Sequence, residues 1–375
     1  MQSMKEFIAG FEECFESLED TRQRSKIYYP LIEILFLSIA AVAGGADSWN
    51  MIEAFGKINL PVFREYYPFK QGSPSDDTVR RLFEMLNPKH LNKALRQYFT
   101  KDLNLSGEHI AIDGKSLRGS RHNGSKALHF LNVYASGSGI TLFGKEVDAK
   151  TNEITVIPEA IDLLDLKGAT VTIDAMGCQK NIAQKIIDKE ADYIFGLKKN
   201  HVALYTQVET AFKTNATHFF AMDSATTNEN GHGRIEERRC RVIQKLDKIP
   251  NAMQWPGMCS AIEMKRTIST KGKTIMATNY YISSSKDNAE QMMRNIRSHW
   301  KIESMHWVLD VVLKEDASSM RKGNIPANMA IVRRFVLNIL NDIKSKRETR
   351  SGLIKMIGWS PEYLHKFIQK LIICS

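Results

Sequence analysis

The segment HIAIDGKSLRGS (109–120) is the starting point for the fold, because it begins as a short apolar strand that runs into an aspartate, Asp113. A second segment, Ala169-Thr-Val-Thr-Ile-Asp174, has the same form. Ligands commonly bind at the carboxyl ends of buried strands. Two carboxylates on adjacent strands repel each other unless a divalent cation lies between them. The pattern therefore predicts an acidic site formed by Asp113 and Asp174, although each could instead be a turn or cap residue.

The stretches around these two segments predict a mixed sheet with helices packed on it. Strand-like runs alternate with helical spacing in the order β-β-β-α-β-α-β, with strands over 109–113, 127–134, 139–147, 169–174 and 191–197 and helices over 157–164 and 181–189. Such an order is typical of the α/β (α+β) class. Short β-like runs and polar turns then predict a β-rich insertion at about 215–285, followed by helices over 288–312 and 326–346.

The N-terminal region predicts an all-helical unit. Apolar spacing indicates helices over 4–18, 30–44, 48–56, 76–86 and 89–101. Ser75 precedes Asp76 at the start of the fourth helix, where a hydroxyl can accept the free N–H groups of the first turn. We expect three parts: a helical domain over 1–103, a catalytic domain over 104–350 that contains the insertion, and a helical tail over 351–375.

Composition excludes several classes of protein. The chain has 375 residues, of which 43% are hydrophobic and 25% charged, so a disordered chain, a collagen and a disulfide miniprotein are excluded. The five cysteines show no CxxC pair, which predicts reduced, buried thiols. The longest apolar run, Leu31–Ala43, is too short to cross a bilayer, and the N-terminus lacks the pattern of a signal peptide. We therefore expect a cytoplasmic protein with no membrane partner.

Positive charge is concentrated after residue 103. Residues 1–103 hold 13 basic and 14 acidic residues, a net of −1, so the remaining residues carry +11 and the whole chain +10. Residues 321–350 alone hold eight basic and two acidic residues, a net of +6, including Arg333 and Arg334. This block predicts a surface that binds the backbone of a polyanion such as nucleic acid.

The best candidate for a third acid lies in the segment Ile296–Trp307. Glu303 shares a helical face with His299 and His306, and these three side chains could alternatively form a zinc site. The strand acids favour Mg²⁺, which prefers hard oxygen ligands. Trp300 and Trp307 are one heptad apart, which is typical of core packing; the alternative is stacking against a nucleic-acid base or sugar.

Five motifs, in order, resemble the DDE transposases of bacterial insertion sequences, in the branch that includes the H-repeat-associated proteins. The resemblance covers nearly the whole chain, including DTRQRSKIYYPLIEILFLSIAAVAGGADSW (20–49) and SPSDDTVRRLFEMLNP (73–88) in the helical region. The motifs are AIDGKSLRGS (111–120), TIDAMGCQKNIA (172–183), DYIFGLKKN (192–200), HGRIEERR (232–239) and IRSHWKIESMHWVLDVVLKEDAS (296–318).

The resemblance implies a ribonuclease-H-like core whose first acid lies on the first strand, the second on the fourth strand and the third on a late helix. Asp113, Asp174 and Glu303 match these positions and would be the ligands of two Mg²⁺ ions, with Mn²⁺ as a substitute. The implied activity is cleavage of double-stranded DNA at the terminal inverted repeats of the element. The freed 3′-hydroxyl is then joined to target DNA by a homo-oligomer bound to the DNA.

The chain departs from the wider superfamily around the third acid. The superfamily pattern is Tyr, two residues, Arg, three residues, Glu, six residues, Lys. When the pattern is aligned on Glu303, its other positions hold Ile296, His299 and Asp310, so the roles of the superfamily Tyr, Arg and Lys do not transfer. Glu315 and Asp316 have the pattern of a helix end.

Basic and aromatic residues near the motifs are candidates for DNA contacts, the alternative being a solvated rim. They are Lys115, Arg118, Arg121, Lys198, Lys199, Arg234, Arg297, His299, Trp300, Arg333 and Arg334. Two other functions stay open: a degenerate or domesticated relative that binds DNA without cutting it, and a ribonuclease-H-fold nuclease that cuts without joining.

Overall fold

The structure, a computed structural model, describes residues 4–16, 18–100, 103–121, 126–147, 153–214, 222–231, 233–270 and 272–373. The strands are β1 (His109–Leu117), β2 (Leu128–Ala135), β3 (Ile140–Val147), β4 (Thr170–Ile173), β5 (Asp192–Leu197), β6 (Met222–Gly231), β7 (Arg234–Ile243), β8 (Ser260–Thr270) and β9 (Lys273–Ser283). The helices are α1 (Met4–Phe15), α2 (Leu31–Ala43), α3 (Trp49–Ile58), α4 (Leu60–Phe63), α5 (Asp76–Met85), α6 (Pro88–Thr100), α7 (Glu153–Asp162), α8 (Lys180–Asp188), α9 (Val202–Lys213), α10 (Ala289–Trp307), α11 (Ile325–Ile343), α12 (Arg350–Trp359) and α13 (Pro361–Ile372).

All these strands form one mixed sheet in the order β3-β2-β1-β4-β5-β9-β8-β7-β6. β1, β4 and β5 are parallel to one another, and the other neighbouring strands pair antiparallel. The predicted α/β class is therefore confirmed, and the first five strands have the arrangement that the ribonuclease-H-like resemblance implies. The predicted β-rich insertion does not form a separate sheet, because β9 pairs with β5 and extends the central sheet by four strands.

Helices cover both faces of the sheet. Ile110 and Ile112 of β1 belong to the cluster that also contains apolar residues of α7, α8 and α9. Ala111, between them, belongs to the cluster formed by the N-terminal helices, α11 and the C-terminal helices. This alternation is what a strand buried on both faces requires, because successive side chains point to opposite sides.

The N-terminal and C-terminal helices share one hydrophobic core. α11 packs against α2, α5, α6, α12 and α13, and also against β3. The apolar run of α2 is buried there, as predicted, and Ser38 satisfies its hydroxyl by donating to the carbonyl of Ile34 at 2.7 Å. In the described ranges, no helix is long and apolar enough to cross a membrane.

The helix α10 contains the first part of the motif over 296–318 and holds it against the sheet. It packs against β1 and β4 of the core and against β6 and β7 of the insertion. Its start is fixed by the side chain of Asn288, which accepts from the backbone N–H of Gln291 at 2.9 Å. A π-helical turn, Val308–Val312, follows it and contains Asp310, the first of three acids in this part of the chain.

Candidate active site

Asp113 and Asp174 lie side by side on neighbouring parallel strands. β1 and β4 pair up to Ile112 and Ile173, and the two aspartates follow directly after these partners. β1 itself continues beyond the predicted end at 113, because it still pairs with β2 as far as Leu117. The two carboxylates therefore lie where the parallel pairing of the two strands stops.

Asp174 also stabilises the turn that follows β4. Its Oδ1 accepts hydrogen bonds from the backbone N–H groups of Met176 at 2.9 Å and Gly177 at 3.4 Å. The sequence left open whether Asp174 is a turn residue, and its Oδ1 does stabilise a turn. These bonds fix the orientation of the carboxylate, as expected for a short acidic side chain in a turn.

Asp113 lies among other carboxylates in a partly buried position. Burial, together with the negative charges of Asp174, Glu153 and Glu303, raises the pKa of Asp113 to about 7. Glu303 lies on α10 with its side chain exposed to solvent. The three acids predicted from the motifs are therefore close enough to interact electrostatically, although they come from three elements.

The three carboxylates suit a hard cation by their chemistry. Oxygen donors of this type are the usual ligands of Mg²⁺, and a cation would relieve the repulsion that raises the pKa of Asp113. As placed, no three His, Cys, Asp or Glu side chains in the described ranges lie close enough together to hold a metal ion. Ligation by Asp113, Asp174 and Glu303 stays a prediction.

Glu153 is a further acid that the sequence reasoning missed. It lies in the first turn of α7, and its buried carboxylate contacts His129 Nε2 of β2. Gly114 allows this arrangement, because a Cβ on Gly114 would collide with both of these side chains. The sequence analysis missed it because Glu153 lies outside the predicted helix over 157–164, whereas α7 begins at Glu153.

His299 contacts the sheet through its ring, and its role as a DNA contact stays a prediction. Its Nδ1 lies 2.9 Å from the hydroxyl of Thr172, which also contacts His109 Nε2 at 3.0 Å. Burial lowers the pKa of His299. The ring anchors α10 to the sheet, and His306 Nε2 likewise has a partner on the sheet, so the two histidines are not arranged as zinc ligands.

Lys115 is buried, so the prediction that it contacts DNA is wrong. Its ammonium lies 2.5 Å from Asp310, 3.2 Å from Glu315 and 3.3 Å from Asp316. Burial alone would lower the pKa of Lys115, but these acids raise it above its usual value. The three acids therefore neutralise a buried cation. Glu315 and Asp316 also hold the loop after the π-helical turn against β1.

Arg333 and Arg334 are also buried, and the predicted backbone-binding surface is wrong at these two positions. Their exposed fractions are 4% and 3%. Arg334 donates to Glu315 at 2.7 Å and lies over the ring of Phe130, with the guanidinium carbon 4.4 Å from the ring centroid. Buried arginines need such partners, because an unpaired charge in the interior is costly.

The other predicted DNA contacts lie at the surface. Arg118 and the pair Lys198 and Lys199 are exposed. Two further arginines have acidic partners: Arg297 pairs with Glu229 at 2.5 Å, and Arg234 pairs with Glu236 at 3.4 Å. Arg121 is exposed as well, whereas His232 of the HGR motif lies outside the described residues.

The two tryptophans of α10 are exposed rather than packed in the core. Trp300 is 54% exposed and Trp307 is 59% exposed. The guanidinium carbon of Arg266 lies 5.6 Å from the ring centroid of Trp300. The heptad spacing indicated core packing, and that interpretation is wrong.

We predict that Asp113→Asn stabilises the metal-free protein, and increasingly so from pH 4 to pH 7. A carboxyl whose folded-state pKa is raised contributes stability that is present below its unfolded pKa, near 3.8, and lost as pH rises through about 7. The loss amounts to about 1.4 kcal/mol for each tenfold difference between the folded and unfolded acid dissociation constants. Thermal unfolding of both proteins in EDTA across this range measures the difference, and a difference that does not change with pH would contradict the assignment.

Two family descriptions match the chain. The family described as "DDE_Tnp_1-associated" matches residues 12–99, and the family described as "Transposase DDE domain" matches residues 104–339. The "Putative transposase YncI" of Escherichia coli O157:H7 is 38% identical over 87% of this chain and 86% of its own length. The "H repeat-associated putative transposase YhhI" of Escherichia coli K12 is 35% identical over 87% of this chain and 89% of its own length.

A shorter relative and one solved structure are also similar. The "Inactive transposase YbfQ" of Escherichia coli K12 is 41% identical over 17% of this chain and 75% of its own length. The cryo-EM structure of the piggyBac transposase synaptic complex with hairpin DNA has a TM-score of 0.45 and 11% sequence identity, covering 98% of this chain and 78% of that chain.

Proposed function

Because this chain belongs to the family of transposases with a DDE domain, we propose that it cuts DNA at the ends of an insertion sequence and joins the freed ends to target DNA. The observation that carries the proposal is the placement of Asp113 and Asp174 after paired residues of parallel strands, within electrostatic reach of Glu303. The partners are double-stranded DNA with terminal inverted repeats, target DNA and further copies of the chain.

Asp113, Asp174 and Glu303 would hold Mg²⁺, or Mn²⁺ in its place. A cation bound there acts as a Lewis acid that stabilises the charge developing on the scissile phosphate. The protein supplies rigidity: the sheet fixes the two aspartates, and hydrogen bonds to the turn after β4 orient Asp174. Asp113 has to lose its proton to bind a cation, so binding weakens as pH falls below about 7.

The bond changes need no covalent link to the protein. In the cleavage step, water attacks the phosphorus at the element end, the P–O3′ bond breaks and the 3′-oxygen takes a proton. In the joining step, that 3′-hydroxyl attacks a target phosphorus, a target P–O3′ bond breaks and a target 3′-hydroxyl is released. Each step exchanges one phosphodiester oxygen for another, so phosphorus keeps its oxidation state and no redox cofactor is required.

Exposed cations flank the acids and would contact the DNA backbone. Lys198 and Lys199 follow β5, which pairs in parallel with β4, so they lie beyond the same sheet edge as Asp174. Arg118 follows β1 and is 76% exposed at its side chain. Trp300 offers an exposed aromatic face on α10 for stacking. The basic side chains would neutralise phosphates, which makes affinity depend on salt.

We expect Glu303→Gln to reduce cleavage by more than about 1000-fold, a loss of roughly 4 kcal/mol in transition-state stabilisation. Asp310→Asn, seven residues along the chain, should keep cleavage within about tenfold of wild type, because Asp310 faces Lys115 instead. A metal-dependent nicking assay on element-end DNA compares the two variants. The reverse order of activities would move the third ligand from Glu303 to Asp310.

A further inference from the structure

A chain of buried polar side chains runs from the loop after α10 to Asp113. Its links are Glu315 to Arg334 at 2.7 Å, Arg334 to Asn132 at 2.5 Å, Asn132 to His306 at 3.0 Å and His306 to Asp113 at 3.7 Å. We call the first four residues the polar relay: Glu315, Arg334, Asn132 and His306. Of these five residues, the proposed catalytic chemistry uses only Asp113.

The direction of every hydrogen bond in the relay is fixed by Arg334. A guanidinium can only donate, so the atom of Asn132 that faces Arg334 Nε has to be the oxygen Oδ1. The amide nitrogen of Asn132 then faces His306, and it also donates to the carbonyl oxygen of Phe130 at 3.2 Å. Two independent contacts thus give the same orientation of the amide, which resolves the usual ambiguity between oxygen and nitrogen in an asparagine side chain.

The orientation of Asn132 determines the proton on His306. An NH₂ group donates, so Nε2 of His306 has to accept and carries no proton. The neutral ring then carries its proton on Nδ1, which is the nitrogen 3.7 Å from Oδ2 of Asp113. This separation is longer than a hydrogen bond, so the contact is that of an N–H dipole near a carboxylate, with both side chains mostly shielded from water.

We propose that His306 is a positioning residue that presents its Nδ1–H to the carboxylate of Asp113. The relay holds the ring in this tautomer, and the N–H restrains the orientation of the Asp113 carboxylate. The same relay explains why Arg334 is buried and pairs with Glu315 instead of facing DNA. The catalytic part of this inference rests on the proposed function, whereas the position of the proton does not.

The proton position is measured on the full-length protein without DNA or metal. Long-range ¹H–¹⁵N correlation spectra of ¹⁵N-histidine-labelled protein distinguish the two neutral tautomers, and His306→Asn assigns the signal by its loss. We expect the proton on Nδ1 in the wild type. A proton on Nε2, or on both nitrogens at neutral pH, would overturn the relay.

Asn132→Asp tests whether the relay sets the tautomer. The variant places an acceptor opposite Nε2, so the proton should move to Nε2 and leave a lone pair facing Asp113. Ser136→Ala is the matched control, since it removes a buried hydrogen bond to His109 just after the same strand, outside the relay, and should leave the tautomer of His306 unchanged. An unchanged tautomer in Asn132→Asp would contradict the inference.

Substitutions of His306 itself test its effect on cleavage. They remain informative if Asn132→Asp does not fold. His306→Ala should raise the Mg²⁺ concentration at half-maximal cleavage, or lower the cleavage rate, by about 10- to 100-fold. His306→Asn keeps an N–H near the position of Nδ1 and should recover part of that loss. Equal behaviour of His306→Ala and the wild type, within about twofold, would reject the positioning role even if the tautomer is as inferred.

Discussion

Asp113→Asn and Asp174→Asn are each expected to reduce Mg²⁺-dependent cleavage by more than about 1000-fold while DNA-end binding stays within about threefold of wild type. Both acids lie where the parallel pairing of β1 and β4 stops, and an amide cannot replace the charge of a carboxylate ligand. Binding should persist, because the exposed cations beyond β1 and β5 are untouched. Gel-based cleavage and a filter-binding or anisotropy measurement on the same duplex separate the two properties.

The matched control for these variants is Asp162→Asn. Asp162 lies on α7, pairs with Lys185 at 2.5 Å and has a side chain that is 55% exposed. The same chemical change away from the sheet edge should leave cleavage within about twofold of wild type, since exposed ion pairs contribute little. Cleavage by Asp113→Asn or Asp174→Asn within about tenfold of wild type would remove that residue from the site.

Glu315→Gln is expected to lower the free energy of unfolding by about 3–5 kcal/mol, the usual cost of removing one partner from a buried ion pair. Burial alone would raise the pKa of Glu315, but Arg334 and Lys115 lower it to about 2. Without this carboxylate, two buried cations lose the acid they share. Because the lowered pKa stabilises the fold above the unfolded pKa near 4.5, the wild type should also lose stability as pH falls through 4.5 toward 2.

Asp316→Asn is the control for Glu315→Gln. It lies next along the chain and contacts the same lysine, but its side chain is 26% exposed. We expect a cost of about 1 kcal/mol, the contribution of an ordinary hydrogen bond. Urea unfolding at neutral pH measures both variants, and equal costs for the two would show that the buried ion pairs do not stabilise the loop after α10.

Local patterns in the sequence predicted most of the elements. Helices α1, α2, α3, α5 and α6 and the first five strands follow from apolar spacing, and the structure has them within a few residues, whereas α4 was not predicted. The edge strand β6 was missed because its residues, Met222–Gly231, are almost all polar and largely exposed. The helix α9 was missed although Leu204, Val208, Ala211 and Phe212 have helical spacing and are buried.

The errors at Arg333 and Arg334 share one cause. Arg333 and Arg334 look like a DNA-binding pair in a basic block, yet α11 is buried on nearly every side, and its apolar residues give no free face. The high proportion of apolar residues over 325–340 was a signal in the sequence for a buried helix. What the sequence could not supply was the partner: Arg334 pairs with Glu315 and Asn132, and the latter is 202 residues away along the chain.

In the candidate site too, residues in local motifs were predicted, whereas contacts between distant elements were not. Asp113, Asp174 and Glu303 were predicted from strand ends and family motifs, and the charges of Asp174 and Glu303 both act on Asp113. The contact of Glu153 with His129 joins α7 to β2, and the contact of His306 with Asn132 joins α10 to β2. Such contacts appear only when the register of the sheet is known.

A strand-transfer assay with a pre-cut element end tests whether the protein joins DNA ends. The substrate is a labelled duplex carrying the inverted repeat that flanks the reading frame and a free 3′-hydroxyl, mixed with target DNA and Mg²⁺. We expect labelled products joined covalently to the target with the wild type, and none with Asp113→Asn or in EDTA. Nicked DNA without joined product, or joining that persists in Asp113→Asn, would rule out the proposed function.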